Sequence, residues 1–361
     1  MLRVPIKILF HVWADAKNTN AQSLNARDIA LRLDPERFQS AMFVGGDPDP
    51  RLQNHPGIRL IRLPARCGSI VILRHLTWGN YNIVVYPPFR SYVRWFDSLW
   101  VFGRRKKVVM PVEGPIDKTE VMNQKIYQRY CRSIGRSDVV VTLSEYLSQW
   151  VQEETGVKPF ASIPVGVDTN FFTPSYRNGH PDIHVLFVGR LIRRKGLDLV
   201  LEAARIFPSV KFSLVGTAYD REDSAFASEL RRRTVEEGLS NVRFLGKLLQ
   251  VEIRDLMQEA DILLLPSKIE GIPKVTLEAA ATGLPCIVFE DYETPSVING
   301  VTGFQTKTFE EMIDRLRVLI ENQNLRREMG ACAVEHAKKF DWNLIAKQWE
   351  RLFLDMLANI I

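Results

Sequence analysis

The chain alternates short apolar runs with longer amphipathic stretches along nearly all of its length. This alternation is typical of βαβ units, in which helices connect buried parallel strands. The apolar runs form two series, and a segment rich in proline and polar residues, 167–182, separates them. The pattern predicts an α/β protein with two doubly wound, Rossmann-like domains, whose ligands bind at the carboxyl ends of the strands.

Thirteen apolar runs are predicted to form the strands. The first series lies at residues 6–12, 40–44, 58–63, 83–86, 107–110, 139–142 and 161–163. The second series lies at residues 185–188, 212–215, 242–245, 262–265, 286–289 and 303–305. Apolar residues at helical spacing between Leu344 and Ile360 then predict a terminal helix that buries one face. A length of 361 residues accommodates two domains of ordinary size.

Composition excludes several classes of protein. With 46% hydrophobic and 25% charged residues, the chain lies in the globular range, away from disordered and fibrous proteins. The longest run without Asp, Glu, Lys or Arg, 75–89, is too short for a membrane-spanning helix. The N-terminus shows no signal-peptide cleavage site, so we expect a cytoplasmic protein. The four cysteines show neither a disulfide framework nor zinc-ligand spacing.

The net charge of +6 is distributed unevenly. Residues 1–175 carry 23 Lys and Arg against 15 Asp and Glu, whereas the remaining residues carry 25 against 27. A basic half suits a nucleic acid, an anionic membrane surface or an acidic substrate, and charge alone does not distinguish these partners. No recognised nucleic-acid-binding motif accompanies the basic residues, so we expect no nucleic-acid partner.

A basic segment follows the first strand of the second series. Gly189-Arg190 is followed by Lys195-Gly196, and a helix is predicted directly afterwards. The Arg190 guanidinium offers a fork of donors to phosphate oxygens, and Lys195 places a compact cation beside a helix N-terminus, which itself favours anions. These groups suit a diphosphate. The alternative is a solvated basic loop.

Two glutamates, Glu270 and Glu278, follow the strand at 262–265 and stand eight positions apart. Pro273 suits the first turn of a helix and Gly283 suits its C-terminal cap, so Glu270 lies in the preceding loop and Glu278 within the helix. Two carboxylates near one helix terminus can accept hydrogen bonds from the hydroxyls of a sugar and a ribose. The alternative is a helix with a surface glutamate.

Together these residues resemble the donor-site signature of the retaining glycosyltransferases of family four, the glycosyl transferases group 1. The matching elements are Gly189-Arg190, Lys195-Gly196, Glu270-Gly271-Ile272-Pro273 and Glu278-Ala279. Further stretches are similar to other segments of that family: 137–144, 163–168, 172–174, 242–247, 300–304 and 340–342. The resemblance covers residues 137–361. It implies the GT-B fold, with an N-terminal acceptor-side domain at 1–170, a C-terminal nucleotide-sugar domain at 171–340, an interdomain cleft, and a terminal helix, 341–361, that crosses back onto the N-terminal domain.

The resemblance also implies a function. It predicts a retaining enzyme that transfers a sugar from a nucleotide-diphosphate donor, UDP rather than GDP, to an acceptor hydroxyl of a polysaccharide or lipid-linked glycan, without a metal or other cofactor. The implied catalytic residues are Arg190, Lys195, Glu270 and Glu113. The implied donor-binding residues are Gly189, Arg190, Lys195, Lys247, Glu270, Gly271, Ile272, Pro273, Lys274, Val275 and Glu278.

The N-terminal half departs from the family pattern at two places. Residues 15–19 stand where family members commonly have a Gly-Gly pair, and Glu113 stands where many have a histidine. Glu113 is either a contact to the sugar or acceptor or a structural turn carboxylate, and His11 is favoured as a structural histidine. A metal-dependent alternative would use Asp47 and Asp49, which have DxD spacing but lie in a compact turn sequence.

Residues 89–107 combine aromatic side chains at helical spacing with a basic run. One interpretation is an interfacial helix at an anionic membrane surface, which would place the protein at the inner face of the membrane. The residues involved are Tyr92, Trp95, Trp100, Arg104, Arg105, Lys106 and Lys107. The alternative, which we favour, is a crossover helix buried on its sheet with basic residues at its C-terminus.

Two other functions stay open at the level of sequence. The departures in the N-terminal half are compatible with a non-catalytic GT-B scaffold that binds a nucleotide or a partner. A sugar-nucleotide epimerase or a phosphorylase would use a similar architecture.

Overall fold

A computed structural model describes residues 4–18, 20–86, 106–115, 124–175, 182–218 and 221–358. Every predicted apolar run forms a strand, with bounds that differ by at most two residues at either end. The strands are β1 Ile6–Trp13, β2 Phe38–Val44, β3 Ile58–Arg62, β4 Ile83–Val85, β5 Lys107–Val112, β6 Val139–Thr142, β7 Ala161–Ser162, β8 His184–Val188, β9 Lys211–Val215, β10 Val242–Gly246, β11 Ile262–Leu265, β12 Cys286–Phe289 and β13 Gly303–Thr306. Most are buried, as parallel strands covered on both faces must be.

The strands form two sheets in which every pairing is parallel. The first has the order β3-β2-β1-β4-β5-β6-β7 and the second β10-β9-β8-β11-β12-β13. The registers pair Ile8 with Ile83 in the first sheet and Leu263 with Leu186 in the second. The predicted α/β class with two doubly wound sheets is therefore confirmed.

Helices connect the strands. Those in the described residues are α1 Ala21–Ala30, α2 Pro50–Gln53, α3 Gly68–Trp78, α4 Gln124–Ile134, α5 Glu145–Thr155, α6 Leu197–Ile206, α7 Arg221–Glu236, α8 Gln250–Glu259, α9 Lys274–Ala281, α10 Phe309–Glu321, α11 Gln323–Ala337 and α12 Trp342–Leu357. Local signals explain several ends: Ser144 caps the N-terminus of α5, and Gly156 ends it in the left-handed conformation. No helix among the described residues is both long and apolar enough to cross a membrane.

The chain divides into two units, 1–165 with 342–361 and 166–341. The sequence placed these divisions at 170/171 and 340/341. Residues just after position 165 belong to the second unit because Val167 N donates to the Phe340 carbonyl at 2.8 Å, and Thr169 donates to the Asp341 carboxylate.

The terminal helix α12 packs within the N-terminal unit, as the predicted fold requires. Its apolar face is buried, and the Phe353 ring lies 6.5 Å from Phe10 of β1 and 6.2 Å from Phe38 of β2. Glu350 accepts a hydrogen bond of 2.8 Å from the backbone N–H of Asp34. The last helix thus completes the core of the first domain.

Candidate functional site

The C-terminal sheet has a switch point between β8 and β11. The chain runs outward from β8 through β9 and β10, then returns to place β11 on the other side of β8. The loops after β8 and β11 therefore leave the same edge of the sheet side by side, and doubly wound sheets bind ligands at such points. These loops carry the basic segment and Glu270.

Three contacts join the two loops. The backbone N–H of Lys268 donates to the Arg194 carbonyl at 2.9 Å, and the Arg194 guanidinium donates to the Ile269 carbonyl at 2.6 Å. Gly196 has a φ of 67°, and a Cβ atom there would lie 2.1 Å from the Pro266 carbonyl oxygen. Because only glycine permits this approach, the glycine sets the close spacing of the loops.

The joined loops bring Lys195 and Glu270 into a buried ion pair. The Lys195 ammonium donates to Glu270 Oε1, and the Arg194 guanidinium lies 3.8 Å from Glu270 Oε2. The side chains of Lys195 and Glu270 are only 12% and 9% exposed. The sequence placed both residues in one site as separate ligand contacts, but it missed their pairing and the part played by Arg194. The signal for Arg194 was its position in the basic run before Gly196.

Two cations, Lys195 and Arg194, lie at the buried Glu270 carboxylate, and the charge of Arg190 also acts on Lys195. Burial alone would raise the pKa of Glu270, but Lys195 and Arg194 outweigh burial and hold that pKa below its usual value. Burial lowers the pKa of Lys195, and the charges of Arg194 and Arg190 add to this against the attraction of Glu270. Two cations that meet at one carboxylate can also contact an added anion, so this arrangement suits an anionic ligand.

The N-terminus of α9 adds to this positive character. Residues 271–273 connect Glu270 to the helix and are buried, and Lys274 and Val275 are its first positions. The first N–H groups of an α-helix have no partner within the helix, and the helix dipole places partial positive charge at this end. A helix N-terminus beside buried cations is suited to phosphate.

Glu278 lies one turn into α9 and, like Glu270, is 8% exposed when the whole residue is counted. Carboxylates are seldom buried to this extent without a partner or a functional role. The alternative of a surface glutamate, which the sequence left open, is therefore wrong for Glu278.

Gly189, Arg190 and Lys247 also lie at the carboxyl edge of this sheet. Gly216, which follows β9, has a φ of 142°, and a Cβ atom there would lie 1.8 Å from the Gly189 carbonyl oxygen. Arg190 and Lys247 are exposed. Lys247 follows β10, which is two strands from β8, so the topology separates it from the Lys195–Glu270 pair.

Tyr292 is a buried residue near the site that the sequence missed. It follows β12, the strand beside β11, and is 4% exposed. Burial and the nearby charge of Glu270 raise its pKa, so the phenol stays neutral. Its only sequence signal was an aromatic residue at the carboxyl end of a strand.

In the N-terminal unit, Glu113 directly follows β5 and meets α1. Asn25 Nδ2 donates to Glu113 Oε2 at 3.1 Å, and Asn25 Oδ1 is buried without a hydrogen-bond partner in the described residues. A pocket of about 20 Å³, enough for a water molecule, lies beside them and is also lined by Trp342 and Trp349. The carboxylate and the amide oxygen suit a hydroxyl group or water.

The loop after β1 is held by side chains. The Asp15 carboxylate accepts hydrogen bonds from the backbone N–H groups of Gly45 and Gly46. The buried Arg27 guanidinium donates to the Asp15 carbonyl at 3.1 Å and to Asp49 Oδ2 at 3.2 Å. This loop is built differently from a glycine-rich phosphate loop.

The same contacts bear on the DxD alternative. Asp49 accepts from the side chain of Arg51 as well as that of Arg27, and it caps the N-terminus of α2. Among the described residues, no cluster of three or more His, Cys, Asp or Glu side chains could hold a metal ion. Nothing in this region favours Asp47 and Asp49 as metal ligands.

His11 lies at the end of β1 and is fully buried. Burial lowers its pKa to about 4, and its ring stacks on Tyr86 with the centroids 4.8 Å apart. A neutral, packed imidazole is consistent with a structural histidine.

Most of the residues considered for membrane binding lie outside the described residues: Tyr92, Trp95, Trp100, Arg104 and Arg105. The other two are placed in the N-terminal unit. Lys106 Nζ donates to carbonyls in the last turn of α3 at 2.6 and 2.9 Å, an arrangement that stabilises a helix C-terminus. Lys107 begins β5.

Comparison with solved structures defines the class. Sucrose-phosphate synthase from Thermosynechococcus elongatus superimposes with a TM-score of 0.83 at 20% identity, covering 99% of this chain and all of that one. Anabaena HepE in complex with UDP-glucose gives a TM-score of 0.78 at 20% identity, covering 98% of this chain and all of that one. At these identities the likeness concerns the fold alone, and the fold is GT-B.

Sequence comparison adds a family likeness. The profile described as Glycosyl transferases group 1 matches residues 169–336, which lie in the C-terminal unit. The sulfoquinovosyl transferase of Arabidopsis thaliana is 28% identical over 193 residues, which cover 49% of this chain and 36% of that protein. The chain spans only 36% to 60% of the length of three such relatives.

Proposed function

We propose that the protein is a retaining glycosyltransferase that moves a sugar from UDP to an acceptor hydroxyl without a metal ion. The observation that carries this proposal is the cationic cluster at the switch point of the C-terminal sheet, in which Lys195 and Arg194 contact Glu270 and Arg190 lies near Lys195. A nucleoside diphosphate supplies the anion that this cluster favours.

The cations have two roles toward the diphosphate. Arg190 and Lys195 bind it in the donor complex, and they offset the charge that develops on the leaving phosphate as the glycosidic bond breaks. Groups already oriented toward a developing charge are usually the largest single contribution to catalysis. Because Lys195 pairs with Glu270 in the free protein, the diphosphate competes with Glu270 for the ammonium group.

The two buried glutamates would recognise the rest of the donor. Glu270, once it shares Lys195 with the diphosphate, accepts hydrogen bonds from the sugar hydroxyls. Glu278, one turn into α9, accepts them from the ribose. The backbone N–H groups between Gly271 and Val275 contribute donors at the helix N-terminus.

The choice of UDP is supported by the solved structures. Anabaena HepE, which shares the fold, is described in complexes with UDP and with UDP-glucose. The proposal of a metal-independent reaction rests on the cations and the helix terminus, which supply the charge stabilisation that a divalent ion supplies in other glycosyltransferases.

In the proposed reaction the acceptor hydroxyl attacks the anomeric carbon from the face that the diphosphate leaves. Because entry and departure share one face, the α-configuration of the donor is retained, and the departing phosphate oxygen takes the hydroxyl proton. We place the acceptor, a polysaccharide or lipid-linked glycan, on the basic N-terminal unit, with Glu113 oriented toward it by Asn25.

A panel of UDP-, GDP- and ADP-sugars tests the proposal through thermal shifts and nucleotide release. We expect UDP-sugars to raise the melting temperature, EDTA to have no effect, and Arg190→Ala with Lys195→Ala to lower kcat by about 10² or more. A matched control replaces the exposed Arg221 and Arg243, also in the C-terminal unit, with alanine.

The other candidates give different results in the same panel. Tight UDP binding without turnover for any acceptor would indicate a scaffold. Conversion of the nucleotide sugar without an acceptor would indicate an epimerase. A requirement for inorganic phosphate would indicate a phosphorylase. Unaltered activity of the Arg190 and Lys195 double variant would contradict the diphosphate site.

A further inference from the structure

Two buried hydroxyl groups lie near Glu270, and the proposed reaction uses neither of them. Ser267 follows β11 and is fully buried, and Tyr292 follows β12 and is 4% exposed. Among the described residues, neither Ser267 Oγ nor the Tyr292 phenol oxygen has a hydrogen-bond partner. Burial of a hydroxyl without a partner lowers stability, so two such groups beside a candidate donor site require a physical reason.

The sheet brings these two hydroxyls together. β11 and β12 are parallel neighbours, with Leu265 opposite Val288. The loops after them, which carry Ser267 and Tyr292, therefore leave the sheet side by side. Burial tends to raise the pKa of Glu270 and of Tyr292, and the nearby Ser267 hydroxyl tends to lower both. A hydroxyl lowers the pKa of an acid by donating to its anion, so Ser267 lies within reach of both the carboxylate and the phenol.

The loop that carries Tyr292 is tied to the first turn of α9. Ser296 Oγ donates to Thr276 Oγ1 at 2.7 Å, and Thr276 Oγ1 donates to the Pro273 carbonyl at 2.7 Å. All three residues are buried. Because these bonds hold the loop, the position of the phenol does not depend on the charges at Lys195.

Glu270 loses its main partner under the proposed function, because a diphosphate takes the Lys195 ammonium. A buried carboxylate without a partner is strongly unfavourable, and the Arg194 guanidinium, at 3.8 Å, is too distant for a hydrogen bond. The Ser267 hydroxyl has one proton to donate to the carboxylate, and its oxygen can accept from the Tyr292 phenol. Hydroxyls that donate in one direction strengthen one another.

We propose that Tyr292 is a positioning residue that acts on Glu270 through Ser267. When a diphosphate binds Lys195, the Tyr292 phenol donates to Ser267 Oγ and the Ser267 hydroxyl donates to the carboxylate. This hydroxyl chain, Tyr292 and Ser267, keeps Glu270 ionised and in place to accept from the sugar hydroxyls. Its part in donor binding rests on the proposed function, whereas its contact with the carboxylate does not and is testable without a donor.

A double-mutant cycle on thermal melting tests that contact. Lys195→Met keeps most of the side-chain stem and removes the ammonium, so in this background Glu270 depends on the hydroxyl chain. We expect Tyr292→Phe to leave the melting temperature of the unmodified protein unchanged or slightly higher, because the hydroxyl that it removes has no partner in the described residues. In the Lys195→Met background, the same change should lower the melting temperature by about 2 °C or more.

The matched control is Tyr130→Phe, the same change at a buried tyrosine of the N-terminal unit. Its effect on the melting temperature should be equal in the unmodified and Lys195→Met backgrounds. Since Tyr292 acts through Ser267, adding Tyr292→Phe to Lys195→Met/Ser267→Ala should cause no further loss.

Calorimetric titration of UDP is a second test that holds even where Lys195→Met fails to fold. Tyr292→Phe should weaken UDP binding about fivefold, because the chain supports Glu270 only once Lys195 is engaged by the diphosphate. In the Glu270→Gln background, the same change should have no effect on the Kd of UDP, because no charged carboxylate remains for the chain to hold.

Failure of this proposal differs from failure of the proposed function. Coupling between Tyr292→Phe and Lys195→Met, together with no binding of any nucleoside diphosphate, would support the hydroxyl chain and contradict the proposed function. Equal losses from Tyr292→Phe in the unmodified and Lys195→Met proteins would show a structural role in the free protein and overturn the proposal. So would an unchanged Kd of UDP in Tyr292→Phe.

Discussion

Replacing Glu270 with glutamine separates the two roles proposed for the Lys195–Glu270 pair. In the free protein the carboxylate engages the Lys195 ammonium that a diphosphate would use, and the Arg194 guanidinium lies 3.8 Å away. Removing the negative charge frees Lys195 from its ion pair with Glu270 and takes that carboxylate away from Arg194. We expect UDP to bind more tightly, while transfer of the sugar slows because the carboxylate no longer accepts from its hydroxyls.

The expected change in the Kd of UDP follows from the Lys195–Glu270 ion pair, which UDP must break. A hydrogen bond between charged groups contributes roughly 1.5–3 kcal/mol, and a phosphate oxygen recovers part of this when it replaces the carboxylate. A gain of about 1.4 kcal/mol in the binding free energy of UDP corresponds to a tenfold lower Kd. Without UDP the variant should melt at a lower temperature, because one member of a buried ion pair has lost its partner, and saturating UDP should restore much of the loss.

Calorimetric titration of UDP into the Glu270→Gln variant measures the effect on binding, and a transfer assay measures the effect on turnover. Glu290→Gln is the matched control, because Glu290 is an exposed carboxylate of the same unit whose ion pair with Lys307 is 3.7 Å long. The control should bind UDP as the unmodified protein does. An unchanged or weaker affinity in a folded Glu270→Gln variant would refute the competition between the carboxylate and the diphosphate.

Three other changes test further parts of the structure. Gly196→Ala forces a Cβ atom to 2.1 Å from a backbone carbonyl and should weaken UDP binding at least tenfold, measured by calorimetry. Asn25→Ala removes the donor that orients Glu113 and should lower kcat about tenfold with the Kd of UDP unchanged; equal losses in both would argue against an orienting role. Burial lowers the pKa of His184 to about 4, below its unfolded value of about 6.5, so its contribution to stability is present above pH 6.5 and is lost as the pH falls through 4. Thermal melts of the protein and of His184→Gln should therefore converge at low pH.

The positions of the strands could be read from the sequence because each strand is a continuous apolar run, buried on both faces. The spans 139–142, 262–265 and 286–289 agree with the structure at both ends. Two boundaries that shifted are those of β1 and β2: β1 extends to Trp13 and β2 begins at Phe38, because pairing between these two parallel strands continues to those residues.

The sequence placed the candidate residues on particular loops and helices, but it did not give the contacts among them. Lys195 and Glu270 are 75 positions apart, and Asn25 and Glu113 are 88 apart. Such pairs meet only because of the order of strands in each sheet, which apolar periodicity does not encode. The buried state of Glu278 likewise depends on what packs over α9, and a single sequence does not give that information.

The loop after β1 and the turn beside it use their backbone amides within the protein. Where family members commonly have a glycine pair whose amides approach the donor phosphates, Asp15 instead accepts from the amides of Gly45 and Gly46. Within the same loop, the amides of Ala16 and Asn18 already donate to backbone carbonyls at 2.8 and 3.0 Å. Four N–H groups at this edge are therefore engaged within the protein. Under the proposed function, stabilisation of the diphosphate depends more heavily on the cations and helix terminus of the C-terminal unit, so the loss of Arg190 and Lys195 together should lower kcat more here than in a relative that keeps the glycine pair.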